Sequence, residues 1–568
     1  MVSLEERIRQ AQTVRGVPPE QAAFPFASIG AVLRARAEEH PERVFLVFYD
    51  EHGQRSQYTY GEFARRVLLT ASLLRHCGIR SGMRIATAAH NHPDTIVQYF
   101  AAWSIGACVV PLNMTEENHR LRYILENSEA RLLFCREEYI ERLSEFCPDG
   151  VEVIPVYADE ARQDGFHALL CRREPESIPE EGDFREHEAL IVYTSGTTGL
   201  PKGVMLVQRN LFADGYDIAQ WHGIDAATRM MCVLPVHHVN GIVVTHVTPF
   251  LVGASVVLNR KFQTEYFFPR IVAEGVHIVS IVPTILAFLL EAGADPLNAV
   301  QNGFRHIICG AGPLTCELAQ RFEQTYRIPI IHGYGLSETT CYSCFLPVGQ
   351  DWKEHTHWMQ DYGFPSIGVA IPCNEMTIHD RSGNELPEGE RGEIVIRGWN
   401  VMKGYFANPR ANEEAFTYGW FRSGDEGFYR TDAQGRRYFF ITGRIKELII
   451  RGGVNISPLE IDEVIARAPG VRAGIAVGFE HELYGEEVGA LVIPEEGASP
   501  EEIRRFCALH LPFHKAPKVV LFTNELPVTT TGKYQRTRVK HLFEPWRRAQ
   551  FSPEDILGES SPPREGHD

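Results

Sequence analysis

The sequence lacks an apolar run long enough to cross a membrane. A transmembrane helix needs about 20 consecutive, mostly apolar residues, and the apolar segments of this 568-residue chain are short and interrupted by charged residues. The first residues, Met1-Val-Ser-Leu-Glu-Glu-Arg7, also lack the basic segment and apolar segment that make up a secretory signal. We therefore expect a cytoplasmic protein without a transmembrane segment.

The chain has fewer basic than acidic residues. The chain has 56 Lys and Arg against 73 Asp and Glu, which gives a net charge of −17. Because nucleic-acid binding is dominated by neutralisation of phosphates, this balance argues against a nucleic acid as partner. The composition, 44% hydrophobic and 23% charged, is typical of a globular protein, and the length suggests at least two domains.

A disulfide framework and a zinc-binding pattern are also missing. The 12 cysteines are scattered and lie mostly in apolar runs, as at Cys108, Cys232 and Cys309. The one C-x-x-C, Cys341-Tyr-Ser-Cys344, has no second pair of cysteines. We interpret the cysteines as reduced residues of the core.

The most informative segment is Tyr193-Thr-Ser-Gly-Thr-Thr-Gly-Leu-Pro-Lys-Gly203, which follows the apolar run Ala189-Leu-Ile-Val192. Its glycines allow tight turns with inward-facing N–H groups, and its hydroxyls and lysine can contact phosphates. The spacing differs from a Walker A loop, because Pro201 precedes the lysine and Gly203 follows it. The segment predicts a nucleotide triphosphate loop. Its predicted contributors are Thr194, Ser195, Gly196, Thr197, Thr198, Gly199 and Lys202.

Four later segments are also rich in glycine and charge. They are Tyr334-Gly-Leu-Ser-Glu-Thr339, Ser423-Gly-Asp-Glu-Gly427, Gly443-Arg-Ile-Lys-Glu-Leu-Ile-Ile-Arg-Gly-Gly453 and Thr531-Gly-Lys-Tyr-Gln-Arg536. With the first loop, they resemble in order the motifs of the ANL superfamily of adenylate-forming enzymes, which includes acyl-CoA synthetases, adenylation domains of peptide synthetases and luciferases. The resemblance covers roughly residues 25 to 545.

The resemblance implies an acid–thiol ligase, an AMP-forming acyl-CoA synthetase of the fatty-acid–CoA ligase branch. Such an enzyme uses ATP to convert a small carboxylic acid into an acyl adenylate, releases pyrophosphate, and transfers the acyl group to coenzyme A. ATP, Mg²⁺ and coenzyme A are the implied cofactors. Because two anions meet in the first step, the site must supply positive charge and align the reactants.

The resemblance also implies roles for individual residues. Asp425 would accept hydrogen bonds from the ribose hydroxyls, and Arg444 would contact the ribose or a phosphate. Glu338 and Thr198 would hold Mg²⁺, which prefers oxygen ligands. The remaining nucleotide-binding residues would be Gly310, Ala311, Gly312, His332, Gly333, Tyr334, Gly335, Ser337 and Thr339, and the small residues among them would permit flat stacking of the adenine.

The C-terminal motifs imply a change of arrangement between the two half-reactions. Lys533 would bridge the carboxylate and the α-phosphate in the first, and Lys446 would be the hinge. After rotation, Arg451, Gly452 and Gly453 would face the site and leave room for the pantetheine arm of coenzyme A. The two adjacent glycines also fit a simple β-turn.

The segment Leu234-Pro-Val-His-His-Val-Asn-Gly241 occupies the acyl-side motif. Amino-acid-activating relatives carry a Phe-Asp-x-Ser pattern there, whose aspartate pairs with the substrate ammonium. Since this chain has His238, Val239 and Asn240 instead, a simple carboxylic acid is favoured. His238 resembles the aromatic gate of the site, and a core histidine bonded to the backbone is the alternative interpretation.

The patterns predict an α/β fold. Strands alternating with helices indicate parallel α/β sheets in a large N-terminal adenylate-forming domain, residues 1–445, which includes a β subdomain after about residue 365. A small mobile α+β domain, residues 446–550, and a disordered tail, residues 551–568, would follow. The segment 351–358 fits a lid, a substrate wall or, more commonly, a surface loop.

Three other functions compete with the CoA ligase. A stand-alone adenylation enzyme would pass the acyl group to an acyl carrier protein, although the chain contains no obvious carrier domain. A luciferase-like oxygenase shares all five motifs. A non-catalytic ATP-binding protein of the same fold is disfavoured, because every charged motif residue is retained.

Overall fold

The computed structural model describes residues 2–176, 182–194, 200–528 and 534–553. Several predicted site residues therefore lie outside the described residues, as does the predicted tail from residue 554. These site residues are Ser195, Gly196, Thr197, Thr198, Gly199 and Lys533.

Helices begin and end as follows: α1 Leu4–Ala11, α2 Ile29–Glu39, α3 Tyr60–His76, α4 Pro93–Ser104, α5 Asn118–Ser128, α6 Leu143–Phe146, α7 Phe166–Leu170, α8 Gln208–His222, α9 Thr248–Leu251, α10 Thr264–Glu274, α11 Pro283–Glu291, α12 Cys316–Tyr326, α13 Trp352–Gln360, α14 Pro409–Ala415, α15 Pro458–Ala466 and α16 Pro500–His510.

Strands have these bounds: β1 Val44–Tyr49, β2 Arg55–Thr59, β3 Arg84–Ala88, β4 Cys108–Leu112, β5 Leu132–Arg136, β6 Glu152–Val156, β7 Glu188–Thr194, β8 Lys202–Val207, β9 Arg229–Cys232, β10 Ser255–Asn259, β11 Ile278–Ile281, β12 His306–Cys309, β13 Ile330–Tyr334, β14 Cys344–Phe345, β15 Val369–Ala370, β16 Asn374–His379, β17 Gly392–Gly398, β18 Gly404–Tyr405, β19 Phe421–Thr431, β20 Arg437–Arg444, β21 Ile449–Arg451, β22 Val454–Ile456, β23 Val471–His481, β24 Gly485–Pro494 and β25 Val519–Phe522.

Two large sheets form the N-terminal unit, which comprises the elements up to β20. One has seven strands in the order β18-β8-β7-β4-β3-β5-β6, and the other has nine in the order β15-β14-β13-β12-β11-β9-β10-β1-β2. Their central strands are parallel, whereas β2, β8, β14, β15 and β18 pair antiparallel at the edges. The predicted parallel α/β sheets are thus confirmed. Local sequence determines where helix α3 begins, because Thr59 and Glu62 form a capping box at its start.

The predicted β subdomain is an antiparallel sheet in the order β16-β17-β19-β20. Helix α13 packs against it, with the Trp358 ring stacked 3.7 Å from the Tyr438 ring. The segment 351–358, for which the sequence left a lid, a substrate wall or a surface loop open, is thus mostly helical. Asp351 caps the helix by accepting a hydrogen bond from the Glu354 N–H at 2.8 Å, and the apolar contact with the sheet stabilises it.

The C-terminal unit comprises β21 to β25 with α15 and α16. Its strands form one sheet in the order β22-β21-β24-β23, with β25 parallel to β24. Its buried apolar residues, such as Ile461 and Val492, form a core separate from that of the N-terminal unit. This confirms the predicted fold class of a large N-terminal and a small C-terminal α+β domain, while the exact boundaries and the mobility stay predictions.

None of the helices in the described part of the chain combines the length and apolar character that crossing a bilayer requires.

Candidate functional site

The predicted triphosphate loop joins two paired strands. Thr194 at the end of β7 lies opposite Lys202 at the start of β8, and Tyr193 lies opposite Gly203. Gly203 is therefore a strand residue, and the expectation that it forms part of the turn was wrong. A Cβ at Gly203 would lie 2.8 Å from a methyl of Ile191, so the glycine is required by packing.

Lys202 and Glu338 both contact Tyr405. The Lys202 Nζ is 4.9 Å from the centre of that ring, and the Tyr405 hydroxyl donates to Glu338 Oε1 at 2.8 Å. Tyr405 reaches this position because β18 pairs with β8. Burial and the Glu338 carboxylate raise the pKa of Tyr405, so the phenol stays a neutral donor.

Glu338 fits the predicted role in binding Mg²⁺. Glu338 is 9% exposed, and its Oε1 accepts the Tyr405 hydrogen bond. Within the described ranges, no group of three or more His, Cys, Asp or Glu side chains is arranged to hold a metal ion. Mg²⁺ is commonly held by one or two carboxylates together with substrate phosphates and water.

The predicted ribose-binding residues converge on one carboxylate. The Tyr334 hydroxyl donates to Asp425 Oδ2 at 2.7 Å, and the Arg444 Nε lies 3.1 Å from Asp425 Oδ1. Strands β19 and β20 bring the pair together, because Asp425 and Arg444 are opposite each other in the antiparallel register. The Asp425 carboxylate raises the pKa of Arg444, and burial raises that of Tyr334.

Close packing explains several glycines of the predicted adenine face. A Cβ at Gly335 would lie 1.9 Å from the Cys341 carbonyl oxygen, one at Gly333 would lie 2.3 Å from the Phe345 ring, and one at Gly310 would lie 2.7 Å from the Gly333 carbonyl oxygen. Ala311 adopts φ +65°, a conformation that is costly for a residue with a Cβ. Flat stacking of adenine here stays a prediction.

The other residues predicted around the nucleotide lie on the same elements. His332 is on β13, and its Nδ1–H donates to the Ser366 carbonyl at 2.9 Å; burial lowers its pKa to about 4, so the ring is neutral near pH 7. Gly312 follows β12 in the chain, and Ser337 and Thr339 flank Glu338 in a short 3₁₀ turn.

The acyl-side segment runs into a π-helix, Asn240–Val247, a form that is often found at functional sites. Asn240 is 6% exposed, and its Nδ2 donates to the Tyr342 hydroxyl at 3.2 Å. In the described structure its Oδ1 and the Nε2 of His237 are buried without a hydrogen-bond partner. The rings of His237 and His238 lie 4.3 Å apart.

The predicted hinge residue directly follows the ribose-binding strand. Lys446 is exposed and sits in the 3₁₀ turn Ile445–Glu447 between β20 and β21. This turn connects the two sheets, which agrees with a role as pivot but does not test it.

Gly452 and Gly453 form the turn of the β21–β22 hairpin. Their φ values are +57° and +84°, which two-residue hairpin turns of this kind require and glycine supplies. The preceding Arg451 donates from Nε to Glu487 Oε1 at 2.7 Å and lies 3.9 Å from the centre of the Tyr484 ring. The contacts described for these three residues are thus within the C-terminal unit.

The residues on either side of the segment that carries Lys533 are paired with each other. Val528 and Tyr534 form a β-bridge, and the Gln535 N–H donates to the Pro527 carbonyl at 2.8 Å. The next residue, Arg536, is buried and donates to Asp462 Oδ1 on α15 at 3.1 Å. Burial raises the pKa of Asp462.

Two sequence profiles match the chain over most of its length. The profile of the AMP-binding enzyme family matches residues 33–406, and that of the AMP-binding enzyme C-terminal domain matches residues 460–533. The chain belongs to the AMP-binding enzyme family. The resemblance to the adenylate-forming superfamily is thereby confirmed.

Curated relatives of this AMP-binding enzyme include CoA ligases. The chain is 34% identical to sulfoacetate–CoA ligase of Cupriavidus necator over 519 residues, which cover 90% of the chain and 97% of the relative. It is 31% identical to feruloyl-CoA synthase of an Amycolatopsis species over 514 residues, which cover 90% and 98%.

A solved structure is similar to the chain over both units. ATP-bound MatB from Rhodopseudomonas palustris superposes with a TM-score of 0.82 at 25% identity, over 92% of this AMP-binding enzyme and all of MatB. The apo structure of the same protein gives a TM-score of 0.73 over the same shares. The described structure therefore superposes better on the ATP-bound form than on the apo form.

Proposed function

We propose that this AMP-binding enzyme activates a carboxylic acid with an uncharged acyl end and transfers it to coenzyme A. The family makes the chain an ATP-dependent acid–thiol ligase: the acid attacks the α-phosphorus, pyrophosphate leaves, and the thiol then displaces AMP. The observation that carries the proposal is the convergence of Lys202, Tyr405 and Glu338 at the strand ends that flank the predicted triphosphate loop.

The nucleotide would be held by two sets of side chains. Asp425 would accept hydrogen bonds from the ribose hydroxyls, with Arg444 beside it neutralising its charge. Tyr334, already a donor to Asp425, would fix the orientation of that carboxylate. Lys202 would neutralise the outer phosphates. Mg²⁺, held by Glu338 and Thr198, would supply Lewis-acid stabilisation of phosphate charge.

The two half-reactions would use the C-terminal unit differently. In the first, Lys533 would stabilise the charge between the carboxylate and the α-phosphate. Rotation about Lys446, between the proposed domains 1–445 and 446–550, would then bring Arg451, Gly452 and Gly453 to the thiol. The higher TM-score to the ATP-bound relative supports the first arrangement for this structure.

The groups around Asn240, which we propose to line the acyl pocket, support an uncharged acyl end. Burial lowers the pKa of His237 and raises that of Tyr342, so both rings are neutral near pH 7, as is the Asn240 amide. A second anionic group on the substrate would lack a compensating charge from these side chains, and burying such a charge is costly. His238 would close this pocket.

We expect acid-dependent pyrophosphate release with carboxylic acids that carry hydroxyl, amide or aromatic groups at the acyl end. Their kcat/KM should exceed that of a dicarboxylate or sulfonate of the same length by at least roughly tenfold. A coupled pyrophosphate assay over matched acids measures this preference. Thioester formation with coenzyme A, compared with a phosphopantetheinylated carrier protein, then identifies the acceptor. No release with any acid would refute the activity, and equal rates with the charged acids would refute the uncharged pocket.

Lys446→Pro should separate the half-reactions. Proline fixes φ near −65° and removes the backbone N–H, so the variant should keep the arrangement in which the adenylate forms. We expect near-normal pyrophosphate release in one turnover and thioester formation slowed by at least roughly tenfold, or about 1.4 kcal/mol in barrier. Lys446→Ala leaves φ free and should change far less. Normal thioester rates in the proline variant would place the pivot elsewhere.

A further inference from the structure

A carboxylate of the C-terminal unit caps a helix of the N-terminal unit. Both oxygens of Glu463, on α15, lie 3.1 Å from the backbone nitrogen of Cys316, the first residue of α12. The N-cap side chain, Thr315, accepts instead from the Leu318 N–H. Glu463 thus satisfies a helix N–H that the N-cap leaves free.

Polar contacts between the two units include two buried residues of the C-terminal unit. One is Ser457, whose hydroxyl donates to the Thr442 carbonyl beside the hinge, and the other is Glu463. It is 8% exposed. The Arg472–Glu291 pair, at 3.3 Å, has side chains 52% and 50% exposed, and the Arg391–Glu460 pair is 3.7 Å apart. Exposed ion pairs contribute little because water and salt screen them. Among the described ion pairs and capping contacts here, that of Glu463 should therefore stabilise the arrangement most.

We infer that Glu463 is a positioning residue that holds the C-terminal unit in the adenylate-forming arrangement. The inference rests on the proposed function, since it requires a second arrangement for thioester formation. Rotation about Lys446 would withdraw α15 from α12, so the contact between Glu463 and the Cys316 N–H must break between the half-reactions. The strength of this contact then sets how readily the second arrangement is reached.

The contact is sensitive to pH. The groups that influence the Glu463 carboxyl are Asp462 on α15, Arg467 at the C-cap of α15, and Cys316 and Glu317 on α12. Burial raises its pKa to about 8, whereas a free glutamate has a pKa of about 4.3. The held arrangement therefore binds the proton more tightly than the released one. Its extra stability is complete below the free pKa and is lost as the pH rises through about 8.

Alkylation of Cys316 by iodoacetamide tests the inference without any substrate. Cys316 is half-buried in the contact, and Cys171 is exposed and serves as the internal reference; peptide mass spectrometry follows both at pH 6.5 and pH 8.5. Glu463→Ala should raise the Cys316-to-Cys171 rate ratio by roughly tenfold at pH 6.5, as expected from losing a hydrogen bond to an acidic side chain. Glu463→Gln keeps the acceptor but cannot ionise. It should match the wild type at pH 6.5 and react more slowly than the wild type at pH 8.5.

Arg472→Gln is the matched control, because it breaks an exposed ion pair between the same two units. Its rate ratio should equal that of the wild type. Unchanged Cys316 reactivity in Glu463→Ala would overturn the inference, and so would an increase of similar size in Glu463→Gln or in Arg472→Gln. Thermal unfolding of each variant separates release of the C-terminal unit from loss of folding.

A kinetic readout links the contact to the half-reactions. In Glu463→Ala, supplied acyl adenylate should be converted to thioester at least as fast as in the wild type, while acid-dependent pyrophosphate release should slow. An equal decrease in both steps would contradict a positioning role. Because the alkylation experiment needs no turnover, failure of the proposed ligase activity would leave its outcome readable.

Discussion

Lys533→Ala should abolish acid-dependent pyrophosphate release and still permit thioester formation from a supplied acyl adenylate. The proposed lysine stabilises charge that develops between two anions in the first step, and the loss of one such preorganised group costs on the order of 100- to 1,000-fold in rate. The second step has no carboxylate attacking a phosphate, so it should stay within about threefold of the wild type. Both rates are measured with the acid that the panel identifies.

The matched control is Lys540→Ala. Lys540 lies in the same unit, has a side chain 41% exposed, and pairs with Glu486 at 2.7 Å. Its removal should leave both half-reactions nearly unchanged. If Lys533→Ala slowed both steps equally while its thermal unfolding stayed normal, the lysine would not be specific to adenylation.

Lys202→Ala should lower kcat/KM for MgATP by on the order of 100-fold, or about 2.7 kcal/mol. Lys202 begins the strand that follows the predicted triphosphate loop, and its charge would be lost where the phosphates are proposed to bind. The KM for the acid should change little, because the proposed acyl pocket lies around Asn240. Steady-state kinetics with each substrate varied in turn give both quantities.

Lys403→Ala is a control on the neighbouring edge of the same sheet. Its Nζ lies 3.1 Å from Glu188, and its side chain is 51% exposed. Tyr405→Phe should have an intermediate effect, since it removes the hydrogen bond to Glu338 but keeps the ring beside Lys202. Equal losses for ATP and acid in Lys202→Ala would argue against a phosphate-specific role.

Local elements were largely predictable because they depend on neighbours in sequence. Apolar residues such as Phe63, Val67 and Leu74 recur at helical spacing between Tyr60 and His76, the bounds of α3. The segment Ser457-Pro-Leu-Glu460 has the pattern of a capping box and starts α15, with Ser457 accepting from the Glu460 N–H at 3.2 Å. Gly203 was predicted wrongly as a turn residue, and the structure of the segment 351–358 was left open. Pairing with β7 places Gly203 in a strand. Packing against the Tyr438 ring stabilises the helix formed by the segment 351–358.

Tyr405 and Glu463 could not be predicted, because their contacts cross long stretches of chain. Tyr405 lies on a two-residue strand that pairs with β8, and neither its neighbours nor its spacing distinguish it from other tyrosines. Glu463 is an ordinary acidic residue on an amphipathic helix until α12 is placed opposite it. In contrast, Asp425 and Arg444 were predictable from motif resemblance, and the antiparallel register explains why they meet.

Two consecutive residues of helix α15, Asp462 and Glu463, contact different parts of the chain. Neighbouring side chains on an α-helix point about 100° apart. Asp462 turns inward to Arg536, at the base of the Lys533 segment, while Glu463 turns outward to α12. Helix α15 thus contacts Arg536, next to the Lys533 segment, through one residue and contacts the opposite unit through the following residue. A displacement of α15 at the α12 contact would therefore also displace Arg536, which follows Lys533 by three residues in the chain.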